Sequence, residues 1–342
     1  MPETVPVRAT REAYRDRLVA LMPAHERVLC LDTDTGLFSG ADFGAAADRY
    51  VNIGIAEHTL MGMAAGLAAS GWMPFVNTMA AFASARALEA VKLDIAYNNL
   101  PVRIMATHGG LSAGHFGPTH QALEDLAVMR ALPNMTVVVP ADAMAAEAVV
   151  TQTLHQPGPV YVRLGRKPTP AVPAPVPVIG TIQHLRAGHD VVITCCGPHP
   201  VLASLRAADA LVEDGVEAAV LNVHTLKPLD GQALLDAAAG VRLVVTVEEH
   251  WGAGGLGAAV AETLSAQAPT RVLRIGMPDE FASVIGDHDF LLEHYGITAD
   301  AIVSQVRQAL GLAATVPEGT DAGWPTAIRH PIHAARVGRA ML

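Results

Sequence analysis

Apolar and polar positions alternate along this chain in two rhythms, one helical and one extended. Thr10 to Leu21 has apolar residues at helical spacing and predicts an amphipathic helix; Arg27 to Leu31 reads as a strand before the polar loop DTDTGLFSGAD. Pro74 to Thr78 reads as a strand, Ala80 to Asn98 as a long helix, and PVRIMAT as the next strand. A glycine-rich loop, Gly109 to Gly117, then leads into a helix expected to begin near His120. Strand MTVVV, a helix with Asp142 at its N-cap and strand PVYVRL follow. Strands alternating with helices predict βαβ units and a mainly parallel sheet covered on both faces.

Between the first two strands the rhythm fails. From Ala56 onward Leu60, Met61, Met63, Ala64, Leu67 and Ala68 cover more than one helical face, and Gly62, Ala65, Gly66 and Ala69 are small. A helix apolar nearly all round is a buried one, and small residues let another backbone approach it closely. Glu57 stands at its mouth. It reads either as a half-exposed acid favouring the helix dipole or as a carboxyl in a dry place, able to share or hold a proton near neutral pH.

Five prolines in the twelve residues of KPTPAVPAPVPV, Lys167 to Val178, forbid helix and sheet interior and predict a stiff, extended linker. Beyond it the pattern restarts: strand DVVITCC, helix Pro200 to Asp214, strand EAAVLNV, helix Asp230 to Ala238, strand RLVVTVEE, helix Gly255 to Ala266, strand RVLRIG and a last helix at Ala299 to Leu310. The expected organisation is α/β with two doubly wound domains at 1–166 and 185–312, a Pro-rich linker at 167–184, and a tail at 313–342 that wraps a neighbour or is mobile.

Composition narrows the classes. Hydrophobic residues make up 51% of the chain and aromatic ones 4%, which suits close helix packing in an α/β fold. The formal net charge of −10 argues against nucleic acid, which needs a basic footprint. No apolar run is long enough for a bilayer, and MPETVPVRATREAYRDRL carries charges where a signal peptide has its apolar core, so a cytoplasmic protein without a membrane partner is expected. Cys30, Cys195 and Cys196 lie in strand-like runs without C-x-x-C spacing and read as core packing.

Two motifs compete as sites. WGAGGLGA places Gly252, Gly254 and Gly257 in the dinucleotide spacing between a strand and a helix. Two acids and His250 crowd the turn where a pyrophosphate needs amide donors, so a tight structural turn is the preferred reading. In THGGLSAGHFGPTHQALED, His108 leaves the carboxyl end of a strand and His120 follows the glycine run, the place where ligands gather in open α/β sheets. Zinc lacks a third ligand there, and no metal-ligating set is expected in this chain.

The runs VNIGIAEHTLMGMAAGLAASG, FVNTMAAFASARALEAV, THGGLSAG..GPTHQALEDLAVMRALPNMTVVVPAD and VYVRLGR resemble the pyrimidine-binding domain of transketolases, especially those split into two chains. NVHTLKPLD and TVEEHWGAGGLGAAVAE are similar to their C-terminal domain. The resemblance covers Thr10 to Leu310 in order. It implies thiamine diphosphate as cofactor, with Glu57 hydrogen-bonding a ring nitrogen of its aminopyrimidine. It places Phe82 against that ring, with Met79 and Ile55 beside it, although plain core packing accounts equally for Phe82 and Met79. It makes His108 and His120 catalytic contacts to substrate and intermediate, and Arg166 and Arg11 grips for a sugar phosphate, a task suited to the planar guanidinium.

The GDG motif through which this family holds the diphosphate and Mg²⁺ does not occur in the chain. The resemblance therefore implies an N-terminal-type partner subunit supplying both, and a heterotetramer of two copies of each chain. Phe116 falls where transketolases carry an Asp that accepts a bond from a sugar hydroxyl. Either His115 replaces that acceptor or the substrate lacks the hydroxyl. A β chain of a 2-oxo-acid dehydrogenase component and a non-catalytic subunit are the alternatives.

Overall fold

The computed structural model describes residues 7–312; the expected tail at 313–342 lies outside the described residues. Among them, twelve strands and ten α-helices follow in order: α1 (Thr10–Leu21), β1 (Val28–Asp32), β2 (Tyr50–Asn52), α2 (Glu57–Ala69), β3 (Met73–Met79), α3 (Leu88–Ala90), β4 (Arg103–Thr107), α4 (Asp125–Ala131), β5 (Thr136–Val138), α5 (Ala143–Thr153) and β6 (Val160–Arg163). Then come β7 (Gln183–Arg186), β8 (Val191–Cys195), α6 (Pro198–Leu211), β9 (Ala218–Asn222), β10 (Thr225–Lys227), α7 (Gly231–Ala238), β11 (Leu243–Trp251), α8 (Leu256–Gln267), β12 (Val272–Met277), α9 (His288–His294) and α10 (Ala299–Leu310).

They build two mainly parallel sheets with helices on their faces, the α/β architecture the pattern predicts. The first has the order β10-β5-β6-β4-β3-β1-β2 and the second β12-β11-β8-β9-β7. Strands β1, β4, β6, β8 and β9 are buried along their whole length, which is why they read as continuous apolar runs. Two antiparallel edges escape the pattern. β7 pairs with β9, and β10, which follows β9 in the chain, crosses to pair with β5 of the first sheet. Among the described residues no helix is long and apolar enough to cross a membrane.

Caps behave as their chemistry requires. Asp142 accepts from the Ala145 amide at 2.7 Å to start α5, and its second oxygen accepts from the Val172 amide at 2.7 Å, which ties the proline-rich stretch down. Gly311 closes α10 at φ +68°.

Two expected helices need correction. The stretch from Ala80 to Asn98 is not one regular helix: π-helical turns at Phe82–Arg86 and Val91–Ala96 flank the single α-turn of α3. Each wide turn accommodates a residue that α-geometry would displace round the axis. His120 does not open a helix, because the backbone of Ala122 bonds back to Gly110 in both directions and holds the chain in a closed loop until Asp125.

Candidate functional site

Because β6, β4 and β3 are neighbours, the segments leaving their carboxyl ends are neighbours too. They carry Arg166, His108 and Phe82. α1 joins them from the side: Arg11 donates its amide to Gly165 O at 3.3 Å, and Thr10 Oγ1 accepts from the Gly165 amide at 2.8 Å.

His108 is the most constrained of the set. It is 5% exposed, and its φ of +59° is a strained value for a residue with a β-carbon. The Thr107 hydroxyl donates to Thr78 O at 3.2 Å, so its oxygen accepts from the imidazole Nδ1–H at 3.0 Å. That chain of bonds assigns the tautomer and leaves Nε2 unprotonated, accepting from Arg11 Nη1 at 3.4 Å. Burial first, then the positive charges of Arg11 and Arg166 and the His120 ring, push the imidazole down to about 3. His108 is a neutral acceptor whose Nε2 lone pair meets Arg11, itself on the lining of the neighbouring cavity.

From there a line of rings and cations runs across the sheet edge. His108 and Phe116 lie 6.3 Å apart between centroids, Phe116 and His120 5.4 Å, and His120 and Phe82 5.3 Å. The Arg166 guanidinium covers Phe116 at 5.6 Å and that of Arg86 covers Phe82 at 4.5 Å. Arg86 Nη1 then donates to Glu57 Oε2 at 2.9 Å. Glu57 is 2% exposed, so the dry setting read from its helix is present; Arg86 shares it as an ion-pair partner.

A cavity of about 280 Å³ opens beside Phe116, lined by Arg11, Arg166, Lys167, His115, Ser112 and Asp287 among others. Its lining carries three cations, Arg11, Arg166 and Lys167, against two carboxylates, Glu12 and Asp287, a balance that leaves room for an anionic group. Lys167 is held there by Asp287 at 3.2 Å and by Asp289.

The structure thus brings Glu57, Phe82, His108, His120, Phe116, Arg11, Arg166 and His115 to one edge. Met79 ends β3 opposite Thr107, half-buried behind them. Ile55 is 73% exposed on the turn before α2, two residues ahead of Glu57. Sequence reasoning missed Arg86 and Lys167. An arginine four residues after an aromatic on one helix was the available signal for the first; the linker's first residue gave none for the second. Among the described residues no group of three or more His, Cys, Asp or Glu side chains is placed to hold a metal ion.

The chain is similar to known proteins. The family profile described as transketolase, pyrimidine binding domain, matches residues 7–171, and that of transketolase, C-terminal domain, matches 180–302. The chain is 38% identical over 297 residues to a 6-deoxy-6-sulfo-D-fructose transketolase subunit of Clostridium sp. (strain MSTE9), covering 86% of this chain and 92% of the relative. Against an apulose-4-phosphate transketolase subunit of Phocaeicola vulgatus the identity is 38% over 299 residues, covering 86% and 95%. A solved split gene transketolase, described as an inactive beta4 tetramer, matches with a TM-score of 0.82 and 42% identity over 89% of this chain and 99% of that one.

Proposed function

The chain belongs to the transketolase family, and from that premise we propose that it is the pyrimidine-binding half of a two-chain, thiamine diphosphate-dependent enzyme transferring a two-carbon ketol unit between sugar-like substrates. One observation carries the reading: a buried carboxylate, Glu57, faces a flat donor stacked on Phe82, and that donor is the guanidinium of Arg86. A planar nitrogen heterocycle needs the same two partners, one acceptor in its plane and one aromatic face below it. The residues therefore fit the cofactor's aminopyrimidine, with Arg86 turning outward to make room. The bound cofactor supplies the nucleophilic carbon; this chain supplies its setting.

Within that setting the Glu57 carboxyl shares a proton with a ring nitrogen and keeps the ring oriented. His108 Nε2, unprotonated, accepts a hydrogen bond from a substrate hydroxyl in place of the one it takes from Arg11, while His120, between Phe82 and Phe116, contacts the reacting end. Arg11, Arg166 and Lys167 hold the far, anionic end of the substrate in the cavity. Phe116 gives the sugar chain an apolar wall and offers no acceptor, so the substrate is one that does not need a bond there. A partner chain supplies the diphosphate and Mg²⁺ ligands, and two copies of each chain form the working unit.

The test is reconstitution. The chain is mixed with an N-terminal-type subunit carrying a GDG motif, thiamine diphosphate and Mg²⁺, and ketol transfer is followed with phosphorylated and sulfonated ketoses. Activity requiring both chains, lost by at least about 100-fold in Glu57→Ala, supports the reading. An unchanged rate in Glu57→Ala would sink it.

A further inference from the structure

Glu249 lies on β11 of the second sheet, yet its carboxylate holds the loop of the first. Its Oε2 accepts from the Leu111 amide at 3.1 Å and from His288 Nε2 at 2.8 Å. Both side chains are nearly sealed, Glu249 at 7% and His288 at 6% exposure, and the His199 ring backs His288 edge-on at 4.3 Å. Gly110 is in the left-handed region at φ +62°, and a β-carbon there would sit 2.6 Å from the same Glu249 oxygen. The loop and the acid are therefore built to touch.

Arg163 completes the clamp. Its Nη2 donates to Glu249 O at 2.7 Å and to Ala122 O at 2.6 Å, and its Nε lies 3.2 Å from the Asp125 carboxylate at the start of α4. Both ends of the loop, next to His108 and next to His120, are thus fixed from one acid and one arginine, in a setting where a polar bond is strong and an unmade one costly.

We infer that Glu249, seated by His288, is a positioning residue: it fixes residues 109–122 and so sets where His108 and His120 stand. The inference about the loop is independent of the reaction, whereas its consequence for rate rests on the proposed function.

Amide hydrogen exchange on the full chain measures it directly. In Glu249→Ala the amides of 109–122 are expected to exchange roughly tenfold faster or more, and in Glu249→Gln, which keeps an acceptor for Leu111, to stay within about threefold of wild type. Val306→Ala, a buried site on α10, controls for general loss of stability and leaves the segment unchanged. Should Glu249→Ala not fold, His288→Leu, which removes the seat and keeps the acid, is expected to speed the same amides. In the two-chain enzyme Glu249→Ala lowers kcat about tenfold or more with substrate KM changed less, and Glu249→Gln recovers it. Wild-type exchange in Glu249→Ala, or equal acceleration in Val306→Ala, overturns the proposal. Faster exchange in an assembly that transfers no ketol unit leaves it standing and defeats the proposed function instead.

Discussion

Arg86 donates from Nη1 to Glu57 Oε2 at 2.9 Å while its guanidinium covers the Phe82 ring at 4.5 Å, so one half-exposed cation completes a nearly sealed acid and an aromatic face together. Removing it leaves the Glu57 carboxylate buried without a partner. Arg86→Ala is therefore expected to cost the isolated chain about 1–3 kcal/mol, read as a fall of a few degrees in Tm. Adding Glu57→Gln to Arg86→Ala should recover at least half of that loss, because a neutral amide is cheaper to leave unpaired. A double-mutant cycle with additive losses would show that the two residues are not coupled.

The pH dependence of stability follows from two buried imidazoles, His108 and His224, and the partly buried His199. Burial pushes His199 and His224 down to about 4, and burial together with the neighbouring positive charges pushes His108 to about 3. Each binds its proton near 6.5 when unfolded, so below that pH the unfolded chain takes up protons the native chain refuses. Stability is then full above about pH 6.5 and falls as the pH drops toward 4, by at most about 1.4 kcal/mol per histidine per pH unit. Asp32 and Glu124, which burial raises, act in the opposite sense and blunt the acid end. Urea unfolding at pH 7.5, 6.5 and 5.5 checks the sign; midpoints flat over that range would contradict it.

What the sequence made legible was what local chemistry decides. Apolar runs gave the buried strands, Asp142 gave a helix start, and the last helix spans Ala299–Leu310 as its periodicity predicts. The candidate site was legible because its residues leave strand ends, and strand ends converge. What stayed hidden depends on order in space. Nothing in Thr225 to Lys227 says that this strand crosses to the first sheet, and Leu111 and Glu249 are 138 positions apart. His120 differs in kind: its helix is forestalled by backbone bonds between Ala122 and Gly110, which lie in one run of sequence but whose pairing no helical or strand periodicity signals.

Phe116 offers a test of specificity separable from stability. It is 51% exposed, so Phe116→Ala should leave Tm nearly unchanged, within about 0.5 kcal/mol. Arg166 would lose the ring beneath it, a contact worth about 0.5–1 kcal/mol at such a site. In the reconstituted enzyme KM for an anionic ketose is expected to rise about two- to fivefold with kcat less affected. A fall in kcat alone would place Phe116 at the reacting end instead.

The glycine motif at Gly252, Gly254 and Gly257 has the dinucleotide spacing without its free amides. Glu248 already occupies the start of α8, its two oxygens accepting from the Leu256 and Gly257 amides at 2.6 and 2.7 Å. Gly254 and Gly255 of the turn face α4. His250 donates from Nδ1 to Trp251 O, so its Nε2 accepts from the Ala127 amide at 3.2 Å, and Arg130 donates to Gly255 O at 3.0 Å. Gly254 is pressed between: at φ +82°, its added β-carbon would lie 2.4 Å from that of Ala127. A β-carbon on Gly252 meets nothing within 4 Å. Gly254→Ala is thus expected to cost about 3 kcal/mol or more, strain and clash together, and Gly252→Ala about 1 kcal/mol or less. In a phosphate-binding turn both glycines would matter through the ligand, so equal losses in the two variants, or binding of a nicotinamide dinucleotide by calorimetry, would reverse this assignment of the motif to packing.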